Sequence, residues 1–574
     1  MGMKRDTDSL IEEYFHIALF SMEIGLDYKI PTYSGGLGAL AGDILRSCAD
    51  LNVPIVAVTL ASNKGHFSQR LDEAGNQTEL PVEWRIDDLA TLMSPKVSVP
   101  IGGREVKIQA WEYLLTGVEG YQVPVYLLDT NLFENRPPDR EITSYLYGGD
   151  ERYRLSQEIV LGIGGVRMLE ALDHTNIHKY HLNEGHSALV ALELMKKLRN
   201  EHPEYTDERI TQLVRKKCIF TTHTPVPAGH DKFPVSLIKS LLGGYLAADE
   251  IATISSGNEL NMTLLALEHS EYVNGVAKRH EEISRSMFPG YPIDSITNGV
   301  HHVFWTSEPF RRVYDRHIRG WRKDPFNLRY VISIPTEEIL QAHREAKSRL
   351  IDLVNARQGI GMGYDTFTVG FARRMAKYKR PDLLFNNTER LVTIAKHAGS
   401  IQIILAGKAH PKDWEGKELI KFIFRAINGL GADIKIVFLE NYDLELAKLI
   451  TSGADLWLNT PKIPCEASGT SGMKASLNGV PSLSILDGWW VEGCIEGVTG
   501  WAIEARSTTS CSDLSDDSSE AENLYAKLER VILPMFYTNR DAWAEIMRYA
   551  IAFNASFFNS HRMVQQYLLN AYFT

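Results

Sequence analysis

The sequence predicts an α/β protein with at least two domains. Its 574 residues exceed the roughly 250–300 that a single hydrophobic core supports. Short runs rich in β-branched and aromatic residues alternate with helical stretches, which is typical of parallel sheets with crossover helices. With 44% hydrophobic and 23% charged residues, the composition is that of a globular protein that can bury sizeable cores.

The β-rich runs fall into two series along the chain. The strands are predicted at residues 55–60, 125–129, 218–222, 367–371, 401–406, 434–439 and 456–458. A polar segment and then a charged helical stretch, from Phe326 to about Glu345, separate the two series, so we place a domain boundary near residue 330. Helices are predicted from Glu522 and over residues 541–572, and the Ser- and Asp-rich residues 507–519 are predicted to form a solvated loop.

Composition excludes several classes of function. The net charge of −11 disfavours binding to nucleic acid or anionic membranes, so an anionic ligand needs a local basic cluster. The first twenty residues lack the pattern of a signal peptide, and no run approaches the roughly 18 apolar residues of a membrane span. Five cysteines without a C-x-x-C spacing argue against a disulfide framework or a structural zinc site. A cytoplasmic protein is expected, and nothing in the sequence requires a metal.

A basic loop follows the predicted strand at residues 367–371. It carries five cations within eight residues, namely Arg373, Arg374, Lys377, Lys379 and Arg380. Their mutual repulsion is costly unless an anion neutralises it, and Arg and Lys side chains suit phosphate oxygens. The loop therefore predicts a phosphate site, with a solvated basic face as the alternative.

A second segment, residues 466–474, reads EASGTSGMK and leads into a predicted helix that runs to Leu477. Backbone amides and the hydroxyls of Ser468, Thr470 and Ser471 could cradle an anion at the start of that helix. Lys474 would lie one turn further on, where partial desolvation lowers the pKa of an amine enough for imine chemistry. The alternative is an ordinary surface lysine.

Two further segments contain candidate ligand-binding groups. The glycine-rich residues 34–41, SGGLGALA, fit the dinucleotide fingerprint only loosely and are better interpreted as a turn that presents amides to some other anion. His223, in the sequence THTP, follows the predicted strand at 218–222. A histidine at such a strand end is either a catalyst or, more commonly, a structural hydrogen-bonding group.

Together these segments resemble the α-glucan phosphorylases, the pyridoxal-phosphate enzymes of the glycogen phosphorylase family. The resemblance runs through nearly the whole chain: EASGTSGMKASLNG is similar to the family's lysine segment and RRMAKYKR to its phosphate segment. Seven further stretches agree in order and spacing: YSGGLGALAGD, HLNEGHSAL, TTHTPVPAGH, VNGVAKRHEEI, ITNGVH, AGKAHP and FLENYDLELA. The resemblance implies a glycosyltransferase B architecture, in which two Rossmann-like domains, residues 1–330 and 331–540, face each other across a deep cleft. A C-terminal helix at about residues 541–574 would return to the first domain.

The resemblance also implies a reaction and the residues that serve it. In that family α-1,4-glucan and inorganic phosphate give glucose 1-phosphate and a shortened glucan, with the anomeric configuration retained. Lys474 would carry pyridoxal phosphate as an imine, and the catalytic residues would be Lys474, Arg374, Lys379 and His223. The cofactor would also be held by Thr470, Ser471, Arg373, Lys379, Tyr442 and Gly36. Substrate would be held by Gly35, Gly36, Arg374, Tyr378, Asn298, His223, Glu466, Ser468 and Gly469.

The chain departs from the family pattern at two positions. It has Asp443 where many members have Arg, and Gly472 where they have Asn. It begins almost directly at the first sheet, which leads us to expect a form without the N-terminal regulatory extension and its allosteric control. Family members are commonly dimers, so a homodimer is possible. Two alternatives stay open: a nucleotide-sugar-dependent glucosyltransferase of the glycogen or starch synthase type, and a catalytically inactive glucan-binding protein.

Overall fold

Two large sheets organise the chain in this computed structural model, which describes residues 16–430, 433–505 and 517–573. The strands up to residue 295 are β1 (His16–Phe20), β2 (Ile55–Leu60), β3 (Ser68–Leu71), β4 (Gln77–Leu80), β5 (Thr91–Ile101), β6 (Arg104–Thr116), β7 (Gln122–Asp129), β8 (Ile177–Asn183), β9 (Cys218–Thr221), β10 (Lys232–Pro234), β11 (Glu259–Asn261), β12 (Tyr272–Gly275) and β13 (Asp294–Ser295). The later strands are β14 (Phe367–Ala372), β15 (Ile401–Ala406), β16 (Lys435–Leu439), β17 (Leu456–Asn459), β18 (Ser482–Ile485) and β19 (Gly500–Ile503).

Most strand pairs in both sheets are parallel. Over the described residues, the first sheet has the order β13-β12-β9-β8-β1-β2-β7-β6-β5, and only its β7-β6-β5 edge is antiparallel. The second has the order β16-β15-β14-β17-β18-β19, parallel throughout. Numbered along its own segment, that order is 3-2-1-4-5-6, the order of a doubly wound nucleotide-binding sheet. The mixed α/β fold with large parallel sheets was therefore predicted correctly.

Helices connect the strands of each sheet. Those up to residue 317 are Gly36–Asp50, Pro137–Arg140, Glu151–Ile159, Gly165–Ala171, Leu189–Glu201, Asp207–Lys217, Val235–Leu242, Ala248–Ile254, Met262–Glu268, Lys278–Met287, His302–Trp305 and Glu308–His317. The later ones are Thr336–Gln358, Thr388–His397, Trp414–Leu430, Leu444–Gly453, Ser471–Ser476, Trp490–Gly493, Ser518–Lys527, Leu533–Thr538, Arg540–Tyr549 and Ser560–Tyr567. Within the described part of the chain, no helix is both long and apolar enough to cross a membrane.

The C-terminal helical region differs from the single helix predicted over residues 541–572. The helix that begins at Arg540 continues beyond Tyr549 through the π-helical stretch Ala550–Ala555, and it is broken at residues 558–559, where Asn559 caps the second helix, Ser560–Tyr567. The first part packs in the core of the second sheet through Trp543, whereas Met563 and Tyr567 pack in a core cluster with Ile17 of the first sheet. The domain boundaries near residues 330 and 540 stay predictions.

The cysteine pattern argued against a disulfide framework, and the described residues include one disulfide-bonded cysteine. Cys48, Cys218 and Cys494 are free, but Cys465 is disulfide-bonded. Sequence spacing detects only cysteines that are close along the chain, whereas a disulfide depends on proximity in the fold. The loop predicted at 507–519 falls largely on residues 506–516, which lie outside the described part.

Candidate active site

A cavity of about 970 Å³ lies beyond the carboxyl ends of strands from both sheets. Ligand sites of open α/β sheets commonly lie at this edge. The cavity brings together all the residues to which the family resemblance assigned a role: Gly35, Gly36, His223, Asn298, Arg373, Arg374, Tyr378, Lys379, Tyr442, Glu466, Ser468, Gly469, Thr470, Ser471 and Lys474. Segments far apart in sequence therefore share one site, although their individual roles stay predictions.

The basic loop after β14 sends only part of its charge into the cavity. Arg373, Arg374 and Lys379 line it. Lys377 instead forms an exposed ion pair with Glu415, with 2.7 Å between Nζ and Oε1. Arg380 adopts a left-handed backbone conformation, φ +45°, and its guanidinium donates to the carbonyl oxygens of Thr460 and Pro461 and to Asp517. The expectation that five cations form one anion site is thus corrected to three, because Lys377 pairs with Glu415 at the surface and the turn at Arg380 directs its guanidinium towards backbone oxygens.

Glu466 neutralises two of these three cations. Its Oε2 accepts hydrogen bonds from Arg373 Nη2, at 2.7 Å, and from Lys379 Nζ. Burial opposes the charge of Glu466, but Lys379 and Arg373 outweigh it and lower the pKa of this carboxyl to about 2. Arg374 makes only a 3.5 Å contact with the Tyr378 hydroxyl, and Arg373 Nε is buried without a partner among the described residues. The unsatisfied donors point to an anionic ligand.

The loop that carries Glu466 is held by its neighbours. Asp487 accepts hydrogen bonds from the Glu466 amide, at 2.9 Å, and from the Gly488 amide, at 3.0 Å. Burial raises the pKa of Asp487 to about 7. Gly488 has φ +54°, and a Cβ there would lie 2.4 Å from the Ser468 carbonyl oxygen. Only glycine fits at this close approach, which fixes the position of Ser468 on the cavity wall.

Lys474 is buried in helix Ser471–Ser476, so the alternative of an ordinary surface lysine is wrong. Its Nζ lies 3.8 Å from the centre of the Trp305 ring and forms no salt bridge within the described residues. Burial, only partly offset by Asp43, lowers the pKa of the amine to about 8. About a tenth of the amine is neutral at pH 7, which is the form that condenses with an aldehyde.

The glycine-rich turn is organised around Glu23. This carboxylate accepts hydrogen bonds from the Ser34 and Gly35 amides, at 2.6 and 3.2 Å, and from the Tyr147 hydroxyl, at 3.0 Å. Gly36 begins helix Gly36–Asp50, where backbone N–H groups lack intrahelical acceptors. The loop presents amides, as predicted, but a protein carboxylate already uses two of them.

The His223 ring is engaged in structural hydrogen bonding. Its Nε2 lies 2.7 Å from Asn183 Oδ1, while its backbone amide donates to Glu184 Oε2 at 2.7 Å. Burial, reinforced by nearby histidines, lowers the pKa of His223 to about 3, so the ring is neutral. These contacts favour the structural alternative for the imidazole. Asn298, by contrast, has a buried Oδ1 without a hydrogen-bond partner in the described chain.

Sequence reasoning missed several polar residues of the cavity wall. Lys408, which follows β15, donates to the Phe67 carbonyl oxygen at 2.8 Å, and burial lowers its pKa to about 8. Arg154 pairs with Asp231 at 2.7 Å. The stretch AGKAHP contains Lys408, and TTHTPVPAGH ends one residue before Asp231. Neither the spacing nor the residue type indicated Glu23, Arg154 or Trp305.

Comparisons with known proteins agree over most of the chain. A family model described as carbohydrate phosphorylase matches residues 246–499. The chain is 39% identical to maltodextrin phosphorylase of Thermococcus litoralis over 95% of its own length and 69% of that protein. It is 36% identical to glycogen phosphorylase of Aquifex aeolicus, over 97% and 86% of the two chains. An uncharacterized protein of Methanocaldococcus jannaschii is 32% identical, over 97% and 99%.

Proposed function

The chain belongs to the carbohydrate phosphorylase family as an α-glucan phosphorylase, a glycosyltransferase, and from this premise we propose its reaction. It transfers a glucosyl unit from α-1,4-glucan to inorganic phosphate, giving glucose 1-phosphate with retention and with pyridoxal phosphate as cofactor. The proposal includes two Rossmann-like domains that face each other across the cavity, as in a glycosyltransferase B fold. A cytoplasmic homodimer is part of the same proposal.

The observation that carries the proposal is the combination of cations and a low-pKa amine in one cavity. Arg373, Arg374, Lys379 and Lys474 all line it, and burial brings the pKa of Lys474 to about 8. Two phosphate groups held side by side repel each other strongly unless several cations lie close to both. A glucan-binding protein has no need for such a cluster, and a nucleotide-sugar transferase has no need for the buried amine.

The residues around Lys474 fit pyridoxal phosphate. The amine lies against the Trp305 ring, and the buried Arg373 Nε has no partner among the described residues. Thr470, Ser471, Arg373, Lys379, Tyr442 and Gly36 would hold the cofactor. When bound, it supplies a phosphate group whose second pKa near 6 allows it to take up or give a proton.

Arg374, Lys379 and the Gly36 amide would hold the inorganic phosphate. This phosphate gives a proton to the leaving glycosidic oxygen as the bond from that oxygen to the anomeric carbon breaks. A phosphate oxygen then bonds to the same carbon on the face that the glucan has left, which retains the configuration. Because Glu466 already pairs with Lys379, the incoming anion shares this cation with a protein carboxylate.

The glucosyl unit would be held through its hydroxyl groups. Glu466, Ser468, Gly469 and Tyr378 offer polar groups on one wall, together with the His223 backbone. The unpartnered Asn298 Oδ1 provides an acceptor that a sugar hydroxyl can satisfy. Such contacts accelerate the reaction to the extent that they strengthen as the oxocarbenium character of the sugar develops.

The deciding experiment measures glucose 1-phosphate formed from a linear maltodextrin by purified protein supplied with pyridoxal phosphate. Product should require inorganic phosphate and disappear in Lys474→Ala, while Lys396→Ala, at an exposed ion pair with Asp433, retains full activity. Turnover of UDP- or ADP-glucose without cofactor would establish the synthase-type alternative. Glucan binding with neither reaction would establish the inactive binding protein.

A further inference from the structure

The β3–β4 hairpin joins the first part of the chain to loops of the second sheet. Within the described residues its two strands pair only with each other, and its side chains contact the segments that follow β15 and β16. Gln77 Nε2 donates to the Ala409 carbonyl oxygen at 2.8 Å, and Gln77 Oε1 accepts the Ala409 amide at 3.0 Å. One carboxamide therefore satisfies both backbone groups of Ala409 and fixes its position.

Gln69 holds the same segment from its other end, and its side chain is fully buried. Its Nε2 donates to the Gly407 carbonyl oxygen and to Gln77 Oε1, both at 2.9 Å. It also pairs reciprocally with Asn441: Gln69 Oε1 accepts the Asn441 amide at 3.1 Å, and Asn441 Oδ1 accepts the Gln69 amide at 2.6 Å. Both N–H groups and the oxygen of this carboxamide are thus used, so it is held in one orientation.

Lys408 lies between the two residues that these glutamines hold, Gly407 and Ala409. Its Nζ donates to the Phe67 carbonyl oxygen at 2.8 Å, and Phe67 directly precedes β3. The hairpin and its first flanking residue therefore fix both the backbone on either side of Lys408 and its ammonium group. A lysine that is ordered before a ligand arrives loses less conformational entropy on binding.

The segment that carries Lys408 also supports the basic loop. The Arg373 amide donates to the Ala406 carbonyl oxygen at 3.1 Å, and the Met375 amide donates to the Lys408 carbonyl oxygen at 3.0 Å. Arg374 therefore lies between two residues that are hydrogen-bonded to the end of β15 and the segment after it. Arg374 and Lys408 both line the cavity, so two neighbouring loops each contribute a cation to it.

The Lys408 ammonium group has capacity for an anion. Only one of its three N–H donors is used by Phe67, and it forms no ion pair within the described residues. Burial outweighs the nearby Asp443 and lowers the pKa of Lys408, which shows that its charge is not fully compensated. A phosphate group supplies both negative charge and several acceptor oxygens for the remaining donors.

We propose that Lys408 is a further phosphate-binding residue of the cavity, and that Gln69 and Gln77 of the β3–β4 hairpin are the residues that position it. The inference rests on the proposed function and deepens it. Inorganic phosphate and the phosphate group of pyridoxal phosphate present the same charge and oxygens to Lys408, and the experiment distinguishes these two sources.

The test compares Lys408→Met, which removes the charge and keeps an apolar side chain, with the wild type. The KM for inorganic phosphate is measured with cofactor-loaded protein from initial rates of glucose 1-phosphate formation, and the Kd for pyridoxal phosphate is measured with cofactor-free protein by absorbance. One of these two constants should rise at least about tenfold, because a hydrogen bond to a charged group is lost, while the KM for maltodextrin stays unchanged. A rise in KM assigns Lys408 to the inorganic phosphate, and a rise in Kd assigns it to the cofactor phosphate.

The matched control is Lys417→Met. Lys417 also joins the hairpin to the second part of the chain, through a 2.7 Å ion pair with Glu79. It is not among the described residues that line the cavity, so its replacement should leave both constants unchanged, whatever its effect on the melting temperature.

The positioning role is tested by a double-mutant cycle. Gln77→Ala should raise the same constant about three- to tenfold, because its hydrogen bonds to Ala409 are lost, and Gln69→Ala should act in the same direction. Thr78→Ala, at the exposed next residue of β4, should have no effect. In the Lys408→Met background, Gln77→Ala should cause no further rise, because the side chain that it positions is absent.

Two outcomes would overturn the proposal. If Lys408→Met lowers the melting temperature but leaves both constants unchanged, Lys408 only anchors the hairpin. If Gln77→Ala has the same effect on the constant with and without Lys408, the glutamine does not act through this lysine. A wild type that forms no glucose 1-phosphate would refute the proposed function instead, and calorimetric titration of the same variants with inorganic phosphate, together with the cofactor Kd, would still decide the role of Lys408.

Discussion

Replacing Glu466 with Gln removes the charge that Arg373 and Lys379 share in the cavity. The pKa of this carboxyl is about 2 instead of its ordinary 4.5, and each factor of ten in proton affinity corresponds to about 1.4 kcal/mol. The two cations therefore stabilise the folded protein by about 3 kcal/mol through this carboxylate. For a domain of 150–250 residues, about 2–4 °C is lost per kcal/mol, so Glu466→Gln should lower the melting temperature by roughly 6–12 °C.

The assay is thermal unfolding in phosphate-free buffer, with Glu415→Gln as the matched control. Glu415 pairs with Lys377 of the same loop, but both side chains are about half exposed, so this change should cost at most about 1 kcal/mol. Added inorganic phosphate should narrow the deficit of Glu466→Gln, because the anion supplies negative charge to the same cations. Equal melting temperatures for the two variants would refute the reasoning.

The pH dependence follows from the sign of the shift. A carboxyl whose pKa is lowered by folding stabilises the protein fully above its unfolded value, near 4.5, and loses that contribution as the pH falls towards 2. The difference in melting temperature between wild type and Glu466→Gln should be constant above about pH 5.5 and should narrow below pH 4.5. A difference that grows on acidification would contradict the assignment.

Four further predictions concern other parts of the structure. Arg374→Ala should raise the KM for phosphate at least about tenfold, because a charge-assisted contact is lost, whereas Lys377→Ala should leave the KM unchanged. Initial rates at varied phosphate concentration test this. Equal effects of the two changes would contradict the assignment of Arg374 to the cavity and Lys377 to the surface. Asp455→Asn should lower the free energy of unfolding by about 3–5 kcal/mol, since the buried His343 and Lys347 both pair with Asp455. Chemical denaturation tests this, with Asp352→Asn, at an exposed aspartate, as the control. Similar losses in the two variants would argue against a stabilising role of the buried pairs. Cofactor uptake by cofactor-free protein should rise about tenfold from pH 7 to pH 9, as Lys474, with a pKa of about 8, loses its proton; a flat profile of cofactor absorbance would contradict this. Gly488→Ala should lower both activity and melting temperature, because the added Cβ would lie 2.4 Å from the Ser468 carbonyl oxygen. The control is Gly497→Ala, which should have the smaller effect, because Gly497 has φ +71° but no atom lies within 4 Å of an added Cβ. Equal melting temperatures of the two variants would show that the backbone relaxes to relieve the contact.

The sequence predicted best the strands that are buried on both faces. Residues 55–60 and 401–406 are apolar except for Thr59 and Gln402, every residue of both runs is buried, and both strands have the predicted bounds. Strands of parallel sheets have this pattern because helices cover both faces. The antiparallel pair β5 and β6 was not predicted, since most of its residues are exposed or half-buried and polar residues interrupt the apolar pattern. The break at residues 558–559 was missed because the residues on both sides of it have helical periodicity.

The site could be predicted at the level of segments but not of side-chain direction. Residues that follow strand ends converge by topology, which is why each of the predicted segments contributes residues to one cavity. Whether a cation faces that cavity depends on local turns: the left-handed conformation of Arg380 places its guanidinium against Thr460 and Pro461. Trp305 is beyond such reasoning, because its contact with Lys474 joins elements that are distant in sequence and belong to different segments.

The two departures from the family pattern have local physical reasons. Asp443 is the N-cap of helix Leu444–Gly453, where its Oδ1 accepts the Leu446 amide at 2.8 Å; aspartate is favoured at this position and arginine is not. At Gly472, a Cβ would lie 2.8 Å from the Trp489 ring, so an asparagine would require this buried ring to move. In this chain Asp443 stabilises a helix and Gly472 accommodates Trp489, while Lys408 provides a cation near Asp443. Both residues therefore have a structural role beside a cavity that keeps its cations, which argues against the loss of catalytic function.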